Sequence, residues 1–157
     1  MIPDQSTLVH IPISDVIQKK EEMGLEFFKE CINKTNQFSA QYVLNKLLRN
    51  YTDHVNELKQ AVQKIPVEEI NQELVNDLEE KFSFNDLCIE FDLSTLTFLE
   101  AAKIVIRMAE RDLDFYRYFI EGKFNKSTQM ALKRIVTRKT AYVASLKNEY
   151  ARLGYKR

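Results

Sequence analysis

Glycine and proline are scarce in this chain, which contains three of each among its 157 residues. An all-β protein of this length needs many tight turns, and tight turns are enriched in these two residues. Their scarcity therefore argues against an all-β fold. Apolar residues make up 45% of the chain and charged residues 29%, proportions that are typical of a globular protein with a buried core. At this length we expect a single domain.

Cysteine is also scarce, and long apolar runs are absent. Cys31 and Cys88 are too few for a disulfide framework or a four-thiolate metal site. No run reaches the ~18 apolar residues that predict a membrane span. The N-terminus lacks the basic start and the apolar stretch of a signal peptide. We therefore expect a cytoplasmic protein without a membrane partner.

The chain has no net charge, because 23 basic residues balance 23 acidic residues. A neutral chain has no overall field that attracts nucleic acid, and basic and aromatic residues do not alternate as they do in RNA-binding sheets. We therefore expect no nucleic-acid partner. The charge is nonetheless uneven: residues 67–92 carry nine acids and one base, and residues 122–157 carry ten bases and one acid. These two segments predict solvated faces that attract each other within the fold or across a homodimer.

What the sequence does contain is helical periodicity. Apolar residues recur every three or four positions in four long segments, which is the pattern of amphipathic helices. Serine residues are predicted to begin the four helices, as caps or first residues: Ser14, Ser39, Ser94 and Ser127. Gly122 and Gly154 are predicted to end the third and fourth helices.

The predicted organisation is a short arm followed by one helical domain, residues 14–157. Residues 1–13 contain two prolines and are interpreted as an extended N-terminal arm. Residues 14–65 form a first helical hairpin, residues 66–93 a long acidic connector with a short helix, and residues 94–157 a second hairpin. Two hairpins joined by one crossover predict an all-α four-helix bundle.

The second half of the chain repeats the first at a constant offset of 88 residues. Matching pairs are Phe27-Phe28 with Phe115-Tyr116, Leu44 with Leu132, Leu47 with Ile135, Val55 with Val143 and Leu58 with Leu146. Both helices of the pair align, and the loop between them keeps its length. The agreement therefore predicts a duplicated helical hairpin.

The first hairpin carries two motifs that resemble those of rubrerythrin-type proteins in the ferritin-like superfamily. Residues 21–28 read EEMGLEFF and are similar to a first-helix motif in which a Glu is followed by a Gly and an aromatic pair. Residues 47–55 read LLRNYTDHV and are similar to a second-helix motif whose core is Glu-x-x-His. The resemblance covers most of residues 14–153. It implies a four-helix bundle whose hairpins supply carboxylates and histidines to a di-iron centre, and in many members the reduction of peroxides.

Most of the metal ligands that the resemblance implies are replaced in this sequence. Glu21 and His54 match the first glutamate and the histidine of the two motifs, whereas Tyr51 stands where the second glutamate belongs. The repeat equivalents of Glu21, Tyr51 and His54 are, in this order, Ala109, Lys139 and Tyr142. One carboxylate and one imidazole cannot hold two irons. We therefore expect no metal cofactor; if iron or another transition metal is bound, its ligands are Glu21, His54 and Tyr51.

Lys139 lies on the apolar stripe of the fourth helix, between Ile135 and Val143. A buried ammonium group is costly alone and tolerable in a hydrogen-bonded ion pair. We therefore hypothesise that Lys139 occupies the space left by the metal and pairs with Glu21. The other members of this predicted buried polar cluster, which satisfy the remaining donors and acceptors, are Tyr51, His54 and Tyr142.

No catalytic residue is predicted. The chain has no Gly-rich phosphate loop, zinc motif or nucleophile elbow, and its two His and two Cys offer few candidates for nucleophilic catalysis. Asp112 and Asp114 are assigned to a solvated face.

Three functions remain open. The favoured one is a ferritin-like domain that has lost its di-iron site and acts as a binding or assembly module for a protein or small-molecule partner. The second is a rubrerythrin-like oxidoreductase or iron-handling protein, with an altered site around Glu21, His54 and Tyr51 and the neighbouring Asp53 or Glu57. The third is a structural homodimer that uses the opposite charges of the connector and the fourth helix. Whether the chain is an enzyme stays open, with a non-enzyme favoured.

Overall fold

The structure is a computed structural model that describes residues 9–155, with side-chain burial described as far as residue 152. Over this range the chain is predominantly helical, which confirms the all-α prediction at the level of fold class. The helices within these residues are α1 (Ile13–Lys34), α2 (Phe38–Gln63), α3 (Gln72–Lys81), α4 (Leu87–Glu90), α5 (Phe98–Phe119) and α6 (Lys126–Tyr155). The other regular elements are two short strands, β1 (His10–Pro12) and β2 (Glu69–Asn71), and a 3-10 turn at Leu93–Thr95.

The four long helices pack through their apolar stripes. Helix α1 lies along α2, and α5 lies along α6; α2 also contacts α5 and α6, and α1 contacts α5. Helices that are neighbours in sequence are therefore neighbours in space, as short connections require. No helix among the described residues is both long and apolar enough to cross a membrane.

A strand pair ties the start of α1 to the connector between α2 and α5. Strand β1 runs antiparallel to β2, with Ile11 opposite Ile70, and the Ile13 amide donates to the Glu68 carbonyl at 2.9 Å. The sequence analysis did not predict this pair, and residues 1–8 of the predicted arm lie outside the described residues. Helix α3 is the short helix expected in the connector.

Several predicted helix ends are wrong. Helix α1 begins at Ile13 rather than after Ser14, because Pro12 supplies an extended backbone and the connector accepts the first amide hydrogen. Ser94 lies in the 3-10 turn, and α5 begins instead after Thr97. There the Thr97 side chain and Glu100 form a capping box, which satisfies two amide groups that the helix leaves free. Helix α6 continues through Gly154.

The buried faces form two apolar clusters with a polar layer between them. On α1, Ile17 belongs to one cluster and Phe27 to the other; on α6, Ile135 and Val143 are divided in the same way. The buried charged and histidine side chains described as far as residue 152 are Lys20, Glu21, His54, Asp112 and Lys139. Lys20 and Glu21 lie between Ile17 and Phe27, and Lys139 lies between Ile135 and Val143, whereas His54 and Asp112 each stand one residue before a member of the cluster that contains Phe27. The long helices thus bring a set of ionisable groups to one level of an otherwise apolar core.

Candidate functional site

Glu21 lies at the centre of the polar layer, with 5% of its surface exposed. The Lys139 Nζ atom lies 2.7 Å from Glu21 Oε1 and donates to Oε2 at 2.8 Å. The Tyr116 hydroxyl donates to Oε1 at 2.7 Å, and the Tyr51 hydroxyl donates to Oε2 at 3.1 Å. Both carboxylate oxygens of Glu21 are therefore occupied by donors from three other positions, and the structure contains the ion pair with Lys139 that the repeat predicts.

These contacts decide the protonation state of Glu21. Burial by itself raises the pKa of this carboxyl, but the charge of Lys139 and the hydrogen bonds that Lys139 and Tyr116 donate outweigh burial and lower the pKa below its usual value. Burial raises the pKa of Tyr51 and of Tyr116 well above the usual value, and the nearby carboxylates add to this effect. At neutral pH an ionised Glu21 therefore accepts hydrogen bonds from two protonated tyrosines.

Asp112 is the second carboxylate of the cluster, and its assignment to a solvated face is wrong. Its side chain is buried, with Oδ1 3.5 Å from Lys20 Nζ and Oδ2 3.8 Å from Lys139 Nζ. The Tyr51 hydroxyl also lies 3.4 Å from Asp112 Oδ2. Burial raises the pKa of Asp112, and the charges of the two lysines only partly offset that effect. Asp114, in contrast, is exposed as expected.

The spacing of Asp112 on α5 is the sequence feature from which its burial could have been predicted. Ala109, Asp112 and Tyr116 stand at positions i, i+3 and i+7, which share one face of a helix. Ala109 and Tyr116 are both buried, and Asp112 lies on the same face between them. In the repeat Asp112 is the equivalent of Gly24, and it follows Ala109, the equivalent of Glu21, by three residues.

Lys20 is a second member that sequence reasoning missed. Its side chain is 1% exposed, and Nζ donates to the Phe82 carbonyl at 3.2 Å. The ammonium also lies over the rings of Phe84 and Phe115, 4.6 and 5.1 Å from their centroids. Phe82 and Phe84 belong to the connector, so this segment closes the cluster on the α1 side. A lysine beside an apolar stripe usually extends its head group to solvent, and the sequence does not distinguish the two cases.

His54 and Tyr142 stack beside the cluster without completing its hydrogen bonds. Their rings are nearly parallel, at 9°, with centroids 4.4 Å apart. His54 Nε2 and Tyr142 Oη have no hydrogen-bond partner among the described residues, so the hypothesis that they satisfy the network is wrong at these atoms. Burial, with a smaller contribution from the charge of Lys139, lowers the pKa of His54 to about 4. The imidazole is therefore neutral at pH 7.

The donor set of this cluster does not fit a di-iron centre. Among the side chains described here, the ammonium groups of Lys20 and Lys139 face the carboxylates of Glu21 and Asp112. Two positive charges therefore balance two negative charges, and the cluster has no surplus negative charge to bind a metal ion. Two irons need several anionic ligands at one level. Iron ions placed in this cluster would also be repelled by the positive charges of the two lysines. Within residues 9–155, no three His, Cys, Asp or Glu side chains are grouped so that they could hold a metal ion. Asp53 and Glu57 are exposed and lie outside the cluster.

Gly24 gives Tyr51 the space to reach the cluster. A Cβ atom at position 24 would collide with the Tyr51 hydroxyl and lie 3.0 Å from the ring carbon that bears it. We expect Gly24→Ala to destabilise the protein by about 1–2 kcal/mol in chemical denaturation. Overpacking a core costs about 1–3 kcal/mol, and the better helix propensity of alanine returns up to about 1 kcal/mol.

A matched background tests this explanation. In a Tyr51→Phe protein the colliding oxygen is gone, so the added cost of Gly24→Ala should shrink or change sign. An equal cost of Gly24→Ala in both backgrounds would contradict the proposed collision.

No family model matches the chain, and neither does any curated protein or solved structure.

Proposed function

We propose that this chain is a ferritin-like four-helix bundle of the rubrerythrin type in which an internal lysine–carboxylate network has replaced the di-iron site. In this proposal the protein acts as a binding or assembly module and not as a redox enzyme. The observation that supports it most directly is the ion pair between Lys139 and Glu21. It joins the residue that matches the first metal-binding glutamate to a lysine at the repeat equivalent of a second one.

The energetics of the pair support the same proposal. A metal that bound Glu21 would have to displace the Lys139 ammonium, which is 1% exposed. The displaced ammonium would remain buried without its principal partner, and an unpaired buried charge costs several kcal/mol. The side chains therefore favour the internal cation over an external one.

Elemental analysis tests the proposal. Protein purified after growth in medium supplemented with iron and manganese is expected to contain no stoichiometric amount of either metal. About two irons per chain would overturn the proposal and favour the rival oxidoreductase, whose ligands would be Glu21, His54 and Tyr51. The variants Glu21→Gln and His54→Phe are the matched controls, because metal that remains in both is bound elsewhere.

Assembly as a homodimer has a separate test. The connector is acidic and α6 is basic, so an interface that joins them is weakened by salt. Sedimentation at low and at high ionic strength is expected to show a dimer that dissociates as salt is added. A monomer under both conditions would exclude this form of assembly and leave binding of another partner.

A further inference from the structure

A groove of about 700 Å³ runs between α2 and α6 beside the polar layer. Its volume lies within the range of small-molecule sites, about 300–1,000 Å³. Its apolar lining includes Val43 and Leu47 from α2, Phe98 from α5 and Leu146 from α6. His54 and Tyr142 also line it, and they separate it from the buried ion network.

The charged side chains along the groove balance one another. Three bases and three acids line it: Lys46, Arg138, Arg152, Asp53, Glu57 and Glu149. Glu149 is 3.8 Å from Lys46 and 2.6 Å from Arg152, and Arg138 is 3.9 Å from Glu57. A ligand with a net charge would have to compete with these pairs, whereas a neutral ligand would leave them intact.

Two buried polar atoms on residues that line the groove lack hydrogen-bond partners among the described residues. His54 is 7% exposed, and its Nε2 atom and the Tyr142 hydroxyl are the groove atoms that are buried without a hydrogen bond among residues 9–152. A buried polar group without a partner costs about 1–3 kcal/mol, so each atom gains from a ligand that can bond it. Tyr142 is the less buried of the two side chains. Its rotation is the side-chain movement that would admit a ligand.

We propose that this groove is a small-molecule binding site for a neutral, planar ligand that carries a carboxamide-type head group, with His54 Nε2 and Tyr142 Oη as its hydrogen-bond partners. Both atoms can donate or accept, and a carboxamide offers one acceptor and two donors within a single plane. The apolar and aromatic lining suits a planar ring attached to that head group. The assignment rests on the proposed function, because it names the ligand class of a metal-free binding module.

Benzamide is the probe that tests the site, with benzoate and benzylamine as its charged counterparts. Titration is followed by the amide shifts of groove residues in two-dimensional NMR. For a ligand of this size we expect saturable binding with a Kd of about 1 mM, and at least about tenfold weaker binding of both charged analogues. No saturable shift up to ~20 mM, or equal binding of the three compounds, would overturn the proposal.

Variants test the two hydrogen bonds. His54→Phe and Tyr142→Phe keep the stacked rings. The first removes both imidazole nitrogens and the second removes the hydroxyl, and each is expected to weaken benzamide binding by about tenfold. The matched control is Tyr118→Phe, because Tyr118 is a half-exposed tyrosine of α5 outside the groove; its affinity should equal that of the wild type. The NMR spectrum of each variant establishes that it is folded. If both groove variants bind benzamide as tightly as the wild type, His54 Nε2 and Tyr142 Oη bond only to ordered water and not to the ligand. That result would overturn the proposed site.

The metal content of the same samples separates the two proposals. Metal-free protein that does not bind benzamide overturns the groove assignment alone. Protein that contains iron at Glu21 overturns the proposed function, whatever the titration shows.

Discussion

Replacing Lys139 with methionine is expected to lower the free energy of unfolding by about 3–5 kcal/mol, the cost of breaking a buried ion pair by removing one partner. Methionine keeps most of the side-chain length and fills the same space, so little of the loss comes from a cavity. The loss arises because Glu21 and Asp112 stay buried while the ammonium that contacts both of them is gone. Chemical denaturation at pH 7 measures this loss.

The matched control is Lys147→Met on the same helix. Lys147 lies 3.3 Å from Glu110, and its side chain is 55% exposed. An exposed pair of this kind contributes about 0–1 kcal/mol, so the control variant should remain close to the wild type. If Lys139→Met also costs less than about 1 kcal/mol, the ammonium does not hold the cluster together.

The loss in Lys139→Met should also depend on pH. The charge of Lys139 is the main influence that lowers the pKa of Glu21 against the opposing effect of burial. A carboxyl with a lowered pKa in the folded state contributes stability that is present above its unfolded pKa and is lost as the pH falls through its folded pKa. Without Lys139, burial dominates and the pKa of Glu21 rises, so this contribution disappears. The stability difference between the two proteins should therefore narrow as the pH falls from the raised pKa of Glu21 in the variant to its lowered pKa in the wild type, and the narrowing begins above the unfolded pKa of about 4.3.

The pairing of Lys139 with Glu21 could be predicted because two sequence signals coincide. The 88-residue repeat aligns Lys139 with a motif position on α2, and its neighbours Ile135 and Val143 place it on a buried stripe. A charged residue on a buried stripe requires a partner, and Glu21 was the one acidic residue assigned to the interior. The burial of both residues follows from helical periodicity, whereas the alignment of Lys139 with a motif position follows from the repeat and from the resemblance.

Asp112 and Lys20 could not be found with the same certainty because charged neighbours obscure their periodicity. Arg111 and Asp114 flank Asp112 and are partly or fully exposed, so the local composition is that of a solvated helix. Lys20 follows the exposed Lys19, and only its contacts with the connector explain why its head group is buried. Those contacts join positions about sixty residues apart, and no local pattern encodes them.

The strand pair and the helix starts were not predicted either, because they also depend on long-range contacts. Strands β1 and β2 have three residues each, too few for an alternating pattern to stand out. Ser14 and Ser94 have good capping side chains, yet Pro12 and Thr97 precede the helices instead. The Ile13 amide bonds to the connector, which removes the need for a serine cap. Local propensity is overridden here by long-range hydrogen bonds.

The second large effect is expected in a double-mutant cycle between Glu21 and Lys139. Glu21→Gln alone should also cost about 3–5 kcal/mol, because Lys139 then faces only Asp112 at 3.8 Å. In the double variant Glu21→Gln, Lys139→Met neither member of the pair is charged, and Lys20 remains 3.5 Å from Asp112 to compensate it. We therefore expect the double variant to be more stable than either single variant, so the coupling energy should exceed the cost of one single variant, about 3–5 kcal/mol.

Whether the double variant is more or less stable than the single variants distinguishes a structural ion pair from an altered metal site. If the pair only replaces a lost metal, a core with both charges removed loses little, since apolar replacement of buried ion pairs is often neutral or stabilising. Additive losses in the cycle would mean that Glu21 and Lys139 contribute through different partners, and the central ion pair would not organise the polar layer. Unfolding of all four proteins in one denaturant series, with the m-values compared, provides the measurement.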